Sequence, residues 1–463
     1  MSSIAPEIFK AYDIRGIVDR TLTEEAAESI GRGLAEMGRR RNVTKFVVGR
    51  DGRLSGPRLS SALARGLTAG GMDVVDIGVV ATPMVYFATH HFRTGSGVMV
   101  TGSHNPPEYN GLKMMVAGET LAAETIQDLR KLIDVILVET GTQTKRGSVS
   151  QADVKPAYLD RITSDVKLAR PMTVAVDCGN GSPGSVAPEL FSRLGCKVIE
   201  LFCEVDGNFP NHHPDPSKPE NLVDLIEKLK TSDAELGLAF DGDGDRLGVV
   251  TKSGKIIFPD RQLMLFAAEV LSRNPGAEVI FDVKCTRNLF PWIREHGGKP
   301  LLWKTGHSLI KSKLKETGAP LAGEMSGHIF FKDRWYGFDD GLYAGARLLE
   351  IVSREKDASR VLESLPDSIS TPELNIKLAA EGENHQLIAE LQKSAKFTGA
   401  TDVNTIDGLR VEYPDGFGLM RASNTTPVIV LRFEADTNAA LTRIRDDFKR
   451  VLHQARPSLE IPA

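Results

Sequence analysis

"MTVAVDCGNGSPGSVAPELFSRLGCKVIELF", residues 172–202, carries in one run the signals that decide the fold. An apolar strand-like run leads into a glycine-rich turn, then a stretch with helical apolar spacing, a glycine near its end, and a second apolar strand. That order is a β-α-β unit, whose two strands lie parallel. The same order recurs in "KFVVGRDGRLSGPRLSSALARGLTAGGMDVVDIG" (45–78) and "AEVIFDVKCTRNLFPWIREHGGKPLLWKTG" (277–306). Each unit is later followed by a strand, a short polar loop and another strand: "VMVTGSHNPPEYNGLKMM" (98–115), "LGLAFDGDGDRLGVV" (236–250) and "PLAGEMSGHIFF" (320–331). Agreement of both halves in the same order predicts three topologically related α/β domains with three equivalent loops.

After about residue 365 the pattern changes to "ELNIKL", a polar stretch rich in Glu and Gln, the segment "GLRVEYPDGFGLMRASNTTPVIVLRFEA" and a closing amphipathic helix, "NAALTRIRDDFKRVLHQA". Strands joined by short turns and then a helix predict a smaller α+β C-terminal domain. The expected domains are 1–148, 149–251, 252–365 and 366–463, a number in keeping with a chain of 463 residues.

Hydrophobic residues at 41% and charged residues at 25% argue against a disordered or fibrous protein. A net charge of −4 provides no global field for nucleic acid or anionic lipid, so an anionic ligand needs a local cluster of basic groups. Cys178, Cys196, Cys203 and Cys285 form no CxxC pair and are expected as reduced thiols. The start, "MSSIAPEIFKAYDIRG", lacks the apolar run of a signal peptide, and no stretch approaches the roughly 18 apolar residues of a membrane span. A cytoplasmic protein with no membrane or nucleic-acid partner is the expectation.

The strongest single motif is "DGDGD", which places Asp241, Asp243 and Asp245 in a tight loop where their carboxylates can converge on a hard cation, Mg²⁺ or Ca²⁺. An EF-hand is excluded, because Arg246 and Lys252 stand where that loop needs glycine and glutamate. Three carboxylates leave coordination positions open, which suits Mg²⁺ shared with a phosphate oxygen. "GNGSPG" matches GxGxxG through Gly179, Gly181 and Gly184, with Glu200 downstream as in a dinucleotide site. Its mid-chain position and the unrelated turns of the other two repeats favour a plain glycine turn.

Ser103 lies beside His104, but adjacent side chains are expected to point apart and no GxSxG elbow is present, so a hydrolytic dyad is disfavoured. A metal-bound phosphate on Ser103 would instead join this loop to the aspartates, with Lys113 further along it. Glu324, Ser326 and His328 alternate in an extended stretch that would direct them to one face, for hydrogen bonds to sugar hydroxyls and proton movement. Arg421, Ser423, Asn424 and Thr425 form the inventory of a phosphate cradle. Tyr12, Arg15, Arg246, Lys284, Thr305, Gly306 and His307 add donors to loops bordering one cleft.

The set "TGSHNPPEYNGLK", "DGDGDR", "GEMSGH" and "RASNTTP", in that order, resembles the α-D-phosphohexomutase family, particularly its bacterial phosphomannomutase/phosphoglucomutase branch, over nearly the whole chain. The resemblance implies a heart-shaped arrangement of four domains around a central active-site cleft. It implies phosphorylated Ser103, Mg²⁺ on Ser103, Asp241, Asp243 and Asp245, sugar contacts from Glu324 and Ser326, and Arg421, Ser423, Asn424 and Thr425 on the nonreacting phosphate. It also implies interconversion of hexose 1- and 6-phosphates through a reoriented hexose 1,6-bisphosphate, with glucose 1,6-bisphosphate as intermediate and activator. Arg15, Lys113 and His328, with His104 beside the serine, are the candidates for proton transfer or charge stabilisation. A monomer is expected, with small sugar phosphates as its partners. The phosphoglucosamine branch usually carries Ser-Ala-Ser-His-Asn-Pro and Ser-Gly-Thr-Glu-Pro, where this chain has Thr101-Gly102-Ser103 and Ser423-Asn424-Thr425-Thr426-Pro427. That branch is the nearest alternative, and a noncatalytic sugar-phosphate binder is the alternative from another class.

Overall fold

A computed structural model describes residues 4–138, 145–380 and 382–462. The three repeats fold alike. In the first, Lys45–Arg50 lies parallel to Asp73–Val79 on one side and Gly97–Val100 on the other, and Gly97–Val100 runs antiparallel to Tyr109–Val116. Thr173–Asp177 repeats this with Lys197–Leu201, Leu236–Phe240 and Leu247–Thr251. Glu278–Asp282 repeats it again with Lys299–Trp303, Leu321–Gly323 and Ile329–Phe331. The crossover helices are Gly56–Ala69, Ala187–Arg193 and Leu289–Glu295. The three polar loops therefore leave equivalent ends of parallel strands, where open α/β sheets bind ligands.

Two expected boundaries cut through sheets. Val149–Gln151 pairs in parallel with Asp73–Val79, so the first sheet runs past 148, and Ile256–Ile257 pairs with Leu247–Thr251, so the second runs past 251. Strands this short carry no periodic signal of their own. Ile14–Ile17 also joins the first sheet, antiparallel to Tyr109–Val116, which brings the N-terminal "AYDIRG" beside the serine loop.

The fourth unit is an antiparallel sheet built on Val428–Ala435, which pairs with Gly416–Ala422 on one side and Leu374–Lys377 and Ile369–Ser370 on the other. The closing helix, Asn438–Ala455, buries Ala440, Ile444, Phe448, Val451 and Leu452 on one stripe and is capped by Thr437 Oγ1, which accepts from the Ala440 amide at 3.2 Å. The polar stretch before it contains a helix that was not expected, Glu383–Ser394, packed through Leu387, Ile388 and Leu391.

The largest apolar core is continuous across the first three sheets, whereas the fourth unit has its own. Among the described residues, a small apolar cluster of Val283, Phe417 and Leu419 links third to fourth. Among the described residues no helix is long and apolar enough to cross a membrane.

Candidate active site

The serine loop is held from below. Thr101 Oγ1 and the Gly102 amide donate to Asp51 Oδ2 at 2.7 and 3.1 Å, and the Ser103 amide donates to Thr101 Oγ1 at 2.8 Å. Arg53, 1% exposed, donates to four carbonyls of the loop, those of Ser103, Asn105, Pro106 and Tyr109, at 2.5–2.9 Å. Asp51 offsets its charge at 3.2 Å. Neither residue is singled out by its sequence, since charges in a turn ordinarily face water; the available signal is their place directly after the first strand of the repeat.

Ser103 has φ 49, in the left-handed region, and this folds the chain back on itself. Neighbouring side chains consequently converge, contrary to expectation: Ser103 Oγ lies 3.1 Å from His104 Nδ1 and 3.0 Å from Asp241 Oδ2. Burial, with Arg246, Arg15 and Lys113 nearby, pushes the His104 imidazole well below its usual range. Among the described residues no carboxylate hydrogen-bonds His104, so the pair lacks the orienting acid of a hydrolytic triad.

Asp241, Asp243 and Asp245 are fully buried in the turn between Leu236–Phe240 and Leu247–Thr251, with ligand oxygens within 4.8 Å of one another. A Cβ on Gly242 would stand 2.4 Å from the Ser103 carbonyl oxygen, so the first two loops touch backbone to backbone. Burial and the two neighbouring carboxylates push the Asp241 carboxyl well up. Burial alone would lower the Lys113 ammonium, but Asp243 and Asp245, whose Oδ2 atoms accept from Lys113 Nζ at 2.7 and 2.5 Å, hold it well above the lysine range. Oδ1 of Asp243 and Oδ1 of Asp245 are buried with no hydrogen-bond partner among the described residues. Clustered hard oxygen donors with unmet hydrogen-bonding capacity fit a metal ion.

The third loop differs from expectation. Glu324, Ser326 and His328 do not alternate along a strand: residues 325–327 turn, Gly327 has φ 105, and the Glu324 amide donates to the His328 carbonyl at 2.9 Å. The three are gathered by the hairpin instead. Glu324 Oε1 accepts from the Gly306 amide at 2.6 Å, while Oε2 is buried without a partner among the described residues. Burial, with Asp282 close, pushes this carboxyl up to about 7. Arg246 Nε donates to His328 Nε2 at 3.1 Å, so Nδ1 carries the proton of the neutral ring and faces Asp339 Oδ2 at 3.1 Å. His307 Nδ1 lies 3.5 Å from the same oxygen, its ring stacked on His328. Asp339 is thus a further site residue, invisible as such in "WYGFDDG".

The fourth unit contributes Arg421 from the end of its strand and Ser423, Asn424 and Thr425 from the hairpin tip. Arg421 Nε donates to Asp407 Oδ2 at 3.0 Å, leaving a buried Nη2 without a partner among the described residues. Tyr12 ties three units together: its hydroxyl donates to the Thr305 carbonyl at 2.6 Å and accepts from Asn424 Nδ2. Thr305 Oγ1 donates to Asp282 Oδ2 at 2.9 Å, and Lys284 Nζ reaches Glu373 Oε2 at 3.1 Å. Arg15, 19% exposed, pairs with Asp13.

Every residue named from the sequence as a candidate catalytic or substrate-binding group borders one cleft of about 940 Å³; the three metal-site aspartates lie beneath it and touch it through Ser103 and Lys113. Three copies of one α/β unit and a fourth that meets them over such a cleft are the architecture of a phosphohexomutase, an isomerase that moves a phosphoryl group within its substrate. Family models described as phosphoglucomutase/phosphomannomutase α/β/α domains I, II and III match residues 6–137, 156–254 and 258–369, and the C-terminal domain model matches 373–451. The chain is 61% identical to a phosphoglucomutase of Neisseria gonorrhoeae over the whole of both chains, and 57% identical to a phosphomannomutase/phosphoglucomutase of Pseudomonas aeruginosa, covering 99% of this chain and 98% of that one. A crystal structure of a phosphoglucomutase/phosphomannomutase family protein from Burkholderia thailandensis, 60% identical, superposes with a TM-score of 0.94 over 99% of this chain and 100% of that one. The chain belongs to the phosphoglucomutase/phosphomannomutase family.

Proposed function

We propose that the protein interconverts the 1-phosphates and 6-phosphates of glucose and mannose through phosphorylated Ser103 and a hexose 1,6-bisphosphate that turns over in the cleft. The observation that carries this reading is Ser103 Oγ at 3.0 Å from the buried Asp241, at the floor of a cleft that also holds the Arg421 hairpin. The two phosphate positions of a hexose are too far apart for one transfer at one serine, so two are needed. The free hydroxyl of the bound monophosphate attacks the phosphorus on Ser103, the bond to Oγ breaks, and the hydroxyl proton is passed to Oγ. After the bisphosphate turns, Ser103 Oγ attacks the other phosphoryl group, the bond from that phosphorus to the sugar oxygen breaks, and the serine proton, with His104 Nδ1 in reach at 3.1 Å to relay it, passes to the sugar oxygen. Asp241, Asp243 and Asp245 would hold Mg²⁺ with the serine-borne phosphate, and the ion would supply charge neutralisation there.

The remaining groups position and stabilise. Lys113 stays an ammonium between two carboxylates and offsets developing charge. His328, its Nε2 engaged by Arg246, orients that guanidinium, and Arg15 faces the cleft as a fixed cation. Arg421, with Ser423, Asn424 and Thr425, holds the phosphate that is not reacting. Glu324 and Ser326 read the hydroxyls at O3 and O4, which reversal of the sugar approximately exchanges. O2, where glucose and mannose differ, goes largely unread.

All these groups come from one chain, which supports a monomer as the working unit, and four free thiols support a reducing, cytoplasmic setting. The division into units follows the loops, with the first ending after Gln151 and the second after Ile257. Intact mass should show one phosphoryl group, mapped to Ser103, and Ser103→Ala should lower turnover of glucose 1-phosphate by about 10³-fold or more. Near-normal activity in that variant would remove the serine from the mechanism. Similar kcat/KM for glucose and mannose 1-phosphates is expected; a strong preference for glucosamine phosphate would favour the other branch.

A further inference from the structure

The turn that imitates a dinucleotide loop, residues 178–184, has no part in the proposed reaction, yet it is packed more closely than a connection requires. Cys178 Sγ and Cys203 Sγ, 25 positions apart, lie 3.5 Å from each other. The approach is built into the sheet. Thr173–Asp177 and Lys197–Leu201 run parallel with Asp177 opposite Leu201, so the two chains leave side by side. Gly179, Asn180 and Phe202 then take φ of 48, 61 and 48, which bends both turns together. Cys178 is fully buried, Cys203 is partly exposed, and the Cys203 thiol donates weakly to the Leu201 and Val176 carbonyls.

We propose that Cys178 and Cys203 are a redox pair, oxidised to a disulfide by hydroperoxides, and that the disulfide lowers turnover. The link to the reacting serine is a chain of backbone contacts without slack. A Cβ on Gly184 would stand 2.0 Å from the Cys203 carbonyl oxygen, and one on Gly181 would stand 2.8 Å from Gly242. The Ser182 amide and hydroxyl both donate to the Gly242 carbonyl, at 2.9 and 3.2 Å. Gly242 in turn lies against Ser103. Closing the sulfurs from 3.5 Å to a bond of about 2.05 Å draws the two turns toward each other, and the 178–184 turn bears on the aspartate loop.

The partly exposed thiol, that of Cys203, reacts first. Cys203 sulfur attacks one peroxide oxygen, the O–O bond breaks, and the thiol proton leaves with the other oxygen as water, or as an alcohol from an organic hydroperoxide. The sulfenic acid formed on Cys203 is attacked by Cys178 sulfur; the S–O bond breaks, and hydroxide takes the Cys178 proton to leave as water. Two thiols are oxidised by two electrons and one peroxide is reduced. A thiol reductant reverses the change.

The test uses the full-length enzyme treated with hydrogen peroxide and then dithiothreitol. The expected result is a mass decrease of two hydrogens, a peptide linking Cys178 to Cys203, and a fall in activity of about 10- to 100-fold that dithiothreitol restores. Cys203→Ser and Cys178→Ala should match the parent before peroxide and keep their activity after it. Should the buried Cys178→Ala fail to fold, Cys203→Ser and the peptide map decide alone. Absence of the linked peptide, formation of the disulfide with activity unchanged, or equal inactivation of Cys203→Ser would each overturn the proposal. The mass readout does not depend on which sugar phosphate the enzyme converts.

Discussion

Because burial lifts the Glu324 carboxyl to about 7, it is a neutral acid below that pH and a carboxylate above it, and in the proposed sugar-binding role the charged form makes Oε2 the stronger acceptor for a sugar hydroxyl. The kcat/KM for glucose 1-phosphate should accordingly rise as pH passes 7. Glu324→Gln should flatten that rise and lower kcat/KM by about 10- to 100-fold above it, hydrogen bonds to a charged group being worth about 1.5–3 kcal/mol. Dividing the two pH profiles cancels the titration of the substrate phosphate, which both variants share. Lys113 supports a second expectation. Lys113→Met leaves Asp243 and Asp245 buried without their counter-charge, at a cost of about 3–5 kcal/mol. Its Tm should fall, and added Mg²⁺ should raise Tm more in the variant than in the parent; equal Mg²⁺ shifts would show that lysine and metal do not share these oxygens. Such roles are hard to see in advance: Arg53 and Asp339 do as much to hold the site as any residue singled out, but a buried charge and a solvated one look alike in a string of letters.

Elements explain which parts of the fold were legible. The β-α-β units announced themselves because apolar runs, helical spacing and a terminal glycine change period at fixed places, and the three hairpin loops followed because they recur in order. The helix Glu383–Ser394 hides because Leu387, Ile388 and Leu391 are nearly its whole apolar face among Glu, Gln, His and Asn. The turn at residues 325–327 reads as a strand because polar and apolar residues happen to alternate across it. One turn makes its own prediction. Gly306 has φ 135, and a Cβ there would lie 2.4 Å from the Tyr12 ring, while its amide holds Glu324. Gly306→Ala should cost about 1–3 kcal/mol in urea unfolding and raise KM, since ring, turn and carboxylate must shift together. An unchanged KM would show that the turn does not set the sugar's place.

At the scale of the whole molecule, the first three sheets share one core, and the fourth unit is joined to them mainly through polar groups. Arg410 donates to the Val283 and Cys285 carbonyls at 2.8 and 2.6 Å, Arg432 pairs with Asp260, Thr286 donates to Glu434, and Arg287 pairs with Asp436. Tyr12 adds the contact across the mouth of the cleft, through Thr305 and Asn424. A bisphosphate that must turn over needs that mouth to open, and the fourth unit is the piece whose movement leaves the common core intact. Small-angle scattering should therefore show compaction when glucose 1-phosphate binds. The polar seam has a thermodynamic consequence as well: a swing that pivots on the small Val283, Phe417 and Leu419 cluster, keeping it packed while seam hydrogen bonds exchange for water, should give a heat-capacity change of binding near zero even when the movement is large. A strongly negative change would instead mean that apolar surface is buried as the cleft closes.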